Sequence, residues 1–230
     1  MMFKGGEKVK VNVKGTIVSN DDKFAYDYFG MDATSPNDVS SALEKSNGMP
    51  VDVEINSGGG DIFAGSEIYT ALRGYQGGVN IKIVGVAASA ASVIAMAGTS
   101  EMSPTAMMMV HNVSSSAQGD YHSMDKQSDV LQTANKTIAA AYIGKTKMSE
   151  ADALDMMDKE TWLTAQQAVD KGLVDKVMFS DSPQLAASYS NGLLPRAVID
   201  KMRNQIKNPQ DNSQADFLQA KINLLKVKVV

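Results

Sequence analysis

The chain has 230 residues, 43% of them hydrophobic, a formal net charge of −4 and no cysteine. That length supports one sizeable domain with its own core, and the acidic balance removes any overall electrostatic case for nucleic acid or an anionic membrane surface. Without cysteine there are no disulfides, thiolate nucleophiles or cysteine-ligated metals, which fits a cytoplasmic protein.

The N-terminal MMFKGGEKVKVNVKG carries charge but no apolar signal-peptide region. Residues 9–18 alternate apolar and polar, as a half-buried strand does. Ser35-Pro36 opens a helix, with Ser35 as cap and Pro36 in the first position, and Gly48 can end it. Val51, Val53 and Ile55 alternate as a second strand, which runs directly into Ser57-Gly58-Gly59-Gly60. Asp61 can cap the next helix, whose apolar members include Ile68, Leu72 and Tyr75.

Residues 79–86 read as a strand that enters a small-residue segment at 87–97, a tightly packed helix. The longest apolar stretch, 84–97, is too short to span a bilayer and is broken by Ser89 and Ser92. Met107-Met108-Met109-Val110 is a buried strand ending at His111. A polar loop leads to a long helix in which Met124, Leu131 and Ile138 recur at helical spacing. Ser149 can cap a short helix ending near Met157. Thr161-Trp162-Leu163 is a short strand, Thr164 with Gln167 a capping-box pattern, and Gly172 a helix stop. Residues 173–177 can be a last strand. Repeated alternation of strand and helix indicates an α/β layered fold. Beyond residue 180 the composition turns polar and Ser/Ala-rich, with short helices at 193–206 and 217–227.

Candidate chemistry centres on Gly85-Val86-Ala87-Ala88-Ser89-Ala90-Ala91-Ser92. Ser89 falls near a helix start, where unpaired N–H groups and the helix dipole favour developing negative charge. The same octapeptide also suits plain close packing. A serine needs a base, and the chain has only two histidines. His111 ends a buried strand, where sites gather; His122 has a polar, surface-like setting, so His111 is preferred. A third group must orient the base; Glu160, Asp158 and Asp120 are the candidates. The Gly58-Gly59-Gly60 run lets backbone approach a ligand closely and can present N–H groups to an oxyanion together with the N–H of Ala90. It lacks the spacing of a phosphate-binding loop, and the histidines lack the spacing of a helical zinc motif.

Asn56-Ser57-Gly58-Gly59-Gly60, Gly85-x-Ala87-Ala88-Ser89-Ala90, Met108-Met109-Val110-His111, Trp162-Leu163-Thr164-Ala165 and Ala168-x-x-x-Gly172-Leu173-Val174-Asp175 stand in the order found in Clp proteases (ClpP). The resemblance covers residues 9–177. In the wording Glu160-Thr161-Trp162-Leu163-Thr164-Ala165 and in the Ser-Gly-Gly-Gly loop it is closest to the ClpP-related head maturation proteases of tailed phages and prophages. The resemblance implies a ClpP/crotonase-like spiral of ββα units over residues 1–180, with a long handle helix at about 124–146. Outside the resemblance, the tail at 181–230 carries an apolar stripe of Phe217, Ile222 and Leu225 that would bury against this domain or dock a partner chain. The resemblance also implies a serine endopeptidase with Ser89 as nucleophile and His111 as base. Glu160 stands where the family usually has aspartate, with Asp158 as alternative acid. Gly59 and Ala90 would form the oxyanion hole, with Gly60 as the alternative to Gly59. No cofactor or metal is implied. The subunits would close into a homo-oligomeric ring, two of which can stack. The substrate would be polypeptide, in the phage branch capsid or scaffold protein in the host cytoplasm or inside a prohead. Alternatives are general Clp-type degradation with an ATPase partner, or a catalytically idle structural ring.

Overall fold

The computed structural model describes residues 9–180. The tail expected at 181–230 and its short helices lie outside the described residues. The centre of the fold is a parallel sheet. Strand β1 (Val9–Ile17) is followed by α1 (Lys23–Tyr28) and β2 (Ala33–Thr34), which returns to pair with the end of β1. Helix α2 (Pro36–Lys45) leads to β3 (Val51–Gly60), and α3 (Ile62–Gly74) to β4 (Val79–Ala88). The order β2-β1-β3-β4 is parallel throughout.

At β4 the sheet forks. Its first half, Asn80 to Ile83, pairs with β5 (Thr99–Met102), and β5 in turn with β8 (Lys176–Val177). Its second half, Val86 to Ala88, pairs instead with β6 (Met107–Val110), which carries the antiparallel β7 (Thr161–Thr164) on its other side. The fork leaves the end of β4 between the end of β3 and β6. Short α4 (Ala90–Ala95) follows β4, and α5 (Tyr121–Thr146), α6 (Glu150–Asp158) and α7 (Ala165–Asp170) complete the described chain.

The alternation of β1 and β3 has a physical basis. Val11, Val13, Val53, Ile55, Ile81 and Ile83 point into one core with Val39, Ile68, Leu72 and Ile94 from the helices. The opposite face carries ion pairs, Lys10 with Glu54 at 2.7 Å and Lys82 with Asp52 at 2.8 Å. A parallel sheet is usually covered on both faces; here only one is apolar, so the period of two survives in the sequence.

Helix starts follow side-chain chemistry. Ser35 and Asp38 form a capping box with Pro36 next to the cap, Asp61 accepts from the Ala64 N–H, Ser149 from the Asp152 N–H, and Thr164 with Gln167 forms a second capping box. The long helix begins at Tyr121, earlier than its apolar pattern indicates, because Asp120 caps it by accepting from the Ser123 N–H.

Four expectations are corrected. β4 continues to Ala88 rather than stopping at Val86, because Ala87 and Ala88 pair with Met108 and Met109. The helix expected at 87–97 is therefore only α4. β6 is buried on one side only: Met108 and Val110 are buried, whereas Met107 is 45% exposed. The last strand is reduced to Lys176–Val177, with Leu173 and Val174 buried just before it.

Candidate active site

Ser89 connects β4 to α4 with φ 54° and ψ −127°. A positive φ is unfavourable for a residue with a Cβ and persists where the surroundings over-determine it. Here they do. The Ser89 N–H donates to the Met109 carbonyl at 3.0 Å. The Ser89 carbonyl accepts from the Ser92 N–H at 2.9 Å and from Ser92 Oγ at 2.6 Å. Every residue of α4 is buried, and its small side chains allow close approach: a Cβ on Gly65 would sit 2.9 Å from Ala90 Cβ. The turn has no room to relax.

This geometry aims the hydroxyl at the end of β6. Ser89 Oγ lies 2.7 Å from His111 Nε2. His111 directly follows Val110, whose own side chain is fully buried, so the strand fixes where the imidazole starts. With Nε2 unprotonated, the hydroxyl donates to it, which is the arrangement a general base requires.

The glycine run is packed against the same turn. Gly59 has φ +96°, and a Cβ there would meet the Ala88 carbonyl and Ser89 Cβ at 2.7 Å and the Ala90 N at 3.1 Å. Its N–H donates to Ser57 Oγ at 3.1 Å, and Ser57, buried, donates to the Gly15 carbonyl at 2.6 Å. Gly60 has φ +150° and abuts β1, where a Cβ would come within 2.1 Å of the Ile17 carbonyl oxygen. Ala90 is the first residue of α4, a position whose N–H has no intrahelical acceptor.

The proposed acids point elsewhere. Glu160 is exposed, with φ 46°, and accepts from the Trp162 indole N–H at 3.3 Å. Asp158 is exposed and accepts from the Asn112 side-chain amide at 2.7 Å. Asp120 caps α5, and the Ser123 N–H and hydroxyl hold its carboxyl below the usual range. His122 stacks on Tyr121 with ring centroids 3.9 Å apart.

Sequence reasoning gave no physical role to Asn56, Ser57, Gly85, Ser92 or Tyr142. The β3–β4 register shifts between Ile55 and Ser57, and Asn56 Oδ1 bridges the break by accepting from the Val86 N–H at 3.1 Å. That side chain occupies the space a Cβ on Gly85 would need, 2.2 Å from Asn56 Oδ1. The pair appears in the sequence only as two separate motif letters; nothing local announces that one fills the place of the other.

The Clp protease family model matches residues 37–181. The chain belongs to the Clp protease family. Proteolytic subunit 1 of the ATP-dependent Clp protease of Chlamydia abortus is 29% identical over 144 residues, 60% of this chain and 75% of its own. The proteolytic subunits from Ligilactobacillus salivarius and Bacteroides fragilis are 34% and 28% identical, over 54% and 57% of this chain. The matches span 64% and 65% of those two proteins, just under two thirds of their length. A solved structure of a ClpP1 variant from Listeria monocytogenes superposes with a TM-score of 0.62 at 20% identity, covering 74% of this chain and 91% of that one. This Clp-family chain therefore has the ClpP fold. Its family match begins inside α2, so β1, α1 and β2 precede it. Among the described residues no helix is long and apolar enough to cross a membrane.

Proposed function

We propose that this Clp-family chain is a serine endopeptidase that works within a homo-oligomeric ring and matures phage proheads. The observation that carries the peptidase reading is the 2.7 Å contact between Ser89 Oγ and His111 Nε2. As Ser89 Oγ attacks the scissile carbonyl carbon, its proton passes to His111 Nε2. The carbonyl oxygen becomes an oxyanion, held by the Ala90 N–H and by an N–H of the glycine run, from Gly59, which must then leave Ser57 Oγ, or from Gly60. His111 then gives the proton to the leaving amine as the C–N bond breaks. Water, deprotonated by His111, attacks the acyl carbon; the bond to Ser89 Oγ breaks, the carboxylic acid product leaves, and His111 returns the proton to Ser89 Oγ. Glu160 is the orienting acid in this reading and must turn from Trp162 toward His111 Nδ1; Asp158 is its alternative.

Ring assembly follows from the family, with α5 as the handle, and allows two rings to stack. The maturation role rests on the Glu160-Thr161-Trp162-Leu163-Thr164-Ala165 wording and the Ser-Gly-Gly-Gly loop, with capsid or scaffold protein as substrate. A second reading, general degradation with an ATPase partner, is favoured by the names of the relatives, which are subunits of ATP-dependent proteases. The test has two parts. A fluorophosphonate should add to Ser89, with no adduct in Ser89→Ala. Co-expression with the capsid and scaffold proteins of the same phage or prophage should give defined cleavage products without any ATPase. Processive loss of unrelated unfolded proteins, only when a Clp ATPase and ATP are supplied, would favour the second reading. Absence of an adduct from the assembled protein would favour an idle ring.

A further inference from the structure

Helix α5 reaches the nucleophile turn through a hydrogen bond from Tyr142. Tyr142, near its C-terminal end, is 1% exposed, and its phenol oxygen lies 2.8 Å from Ser92 Oγ. Ser92 is fully buried on α4, and its Oγ lies 2.6 Å from the Ser89 carbonyl oxygen. Counting protons fixes both directions. A carbonyl only accepts, so Ser92 gives its one hydroxyl proton to Ser89. The remaining contact must then be donated by Tyr142. Burial pushes the Tyr142 phenol up to about 12, so it keeps that proton throughout the neutral range. The result is a directed chain, phenol to hydroxyl to carbonyl, in which each bond polarises the next.

The acceptor at its end belongs to the residue with φ 54° and ψ −127°. The ψ of Ser89 sets where its carbonyl points, so a donor fixed on that carbonyl fixes ψ. On the other side of the residue the N–H is held by the Met109 carbonyl. Ser89 is thus anchored to β6 through its N–H, while its carbonyl is held by the N–H groups of Ser92 and Val93 in α4 and, through the Ser92 hydroxyl, is tied to α5; its side chain is left to meet His111.

We propose that Ser92 and Tyr142 are positioning residues, a two-hydroxyl relay from α5 that holds the Ser89 carbonyl and so aims Ser89 Oγ at His111. This rests on the reading of Ser89 as nucleophile. Neither residue touches the reacting atoms. A buried hydroxyl pair that served packing alone would affect melting and leave reactivity untouched, which separates the two roles.

The full chain is compared with Tyr142→Phe, Ser92→Ala and the double variant. The readouts are the maximal rate of fluorophosphonate addition to Ser89, the half-saturating probe concentration and the melting temperature. The maximal rate should fall about tenfold in each single variant, because misaimed reactive groups lose rate steeply with small displacements. The half-saturating concentration should stay constant. The double variant should be no slower than Ser92→Ala, since the two hydroxyls act in series. Should Ser92→Ala fail to fold, Tyr142→Phe decides, because it loses one oxygen and keeps the ring. Unchanged rates with lowered melting temperatures overturn the relay, as does a double variant whose loss is the product of the two single losses. An unaltered chain that takes no probe at Ser89 overturns the peptidase reading and the positioning role together, whereas normal labelling that ignores both substitutions overturns the relay alone.

Discussion

Gly59→Ala puts one methyl group directly against the Ser89 turn. The new Cβ would stand 2.7 Å from the Ala88 carbonyl and from Ser89 Cβ, where ordinary contact begins at 3.4 Å, so one side must move by 0.7 Å (3.4 − 2.7). The Ser89 turn is held at its N–H and its carbonyl, so the methyl group fits only by straining that turn. An L-residue at positive φ adds about 1–2 kcal/mol of strain, and overpacking a filled site about 1–3 kcal/mol. The sum, about 2–5 kcal/mol, corresponds to a drop in melting temperature of about 4–20 °C for a domain of this size. A misplacement of about 1 Å can cost about 10²-fold in rate, so fluorophosphonate addition to Ser89 should slow by about 10- to 100-fold. Alanine keeps the Gly59 N–H, so the loss reports geometry and not a missing donor. Gly58→Ala is the control: a Cβ at Gly58 would meet nothing within 4 Å, and both rate and melting should stay near the unaltered values. Equal behaviour of the two variants, in either direction, would refute the packing argument.

Glu160→Gln should slow Ser89 labelling by about 10²-fold or more, as removal of an orienting carboxylate does, while Asp158→Asn stays near the unaltered rate; the reverse pattern would transfer the role to Asp158. Asp175 gives a pH prediction. Burial alone would raise its carboxyl, but hydrogen bonds from Lys145 and from the Ser100 N–H outweigh burial and hold it below the ordinary value. The native state therefore binds fewer protons than the unfolded chain near that value. The stabilisation is complete above about pH 4 and is lost as pH falls through the depressed folded value. Asp175→Asn should melt lower than the unaltered chain at pH 7 and lose less on acidification from pH 5 to 3. Parallel melting curves across that range would refute the assignment.

Much of this was legible where a local rule decides the outcome. The caps at Ser35, Asp61, Ser149 and Thr164 follow from side-chain chemistry within a single turn, and all four start helices. Alternation in β1 and β3 was readable because one face of the sheet is polar. Helix α1 was not, since none of its residues is buried and no apolar stripe marks it. Strand β5, Thr-Ser-Glu-Met, carries too little apolar character to register, and it exists because β4 offers it an edge. The site divides in the same way. Ser89 and His111 are marked by the strands that deliver them. The positive φ of Ser89, the patch of Asn56 over Gly85 and the reach of Tyr142 across fifty residues to Ser92 depend on pairing between distant segments, which a local pattern does not encode. Glu160 was one of three candidate acids, marked only by its place before a short strand. Its backbone is left-handed, and its carboxylate accepts from the Trp162 indole N–H, neither of which a local pattern announces.

The most direct test is the rate of Ser89 acylation in His111→Ala relative to the unaltered chain, with the adduct located on the peptide carrying Ser89. If the imidazole 2.7 Å away takes the serine proton, the rate should fall by about 10²- to 10⁴-fold, with the fold intact by melting. A His111→Ala chain that is acylated at Ser89 as fast as the unaltered one would contradict it.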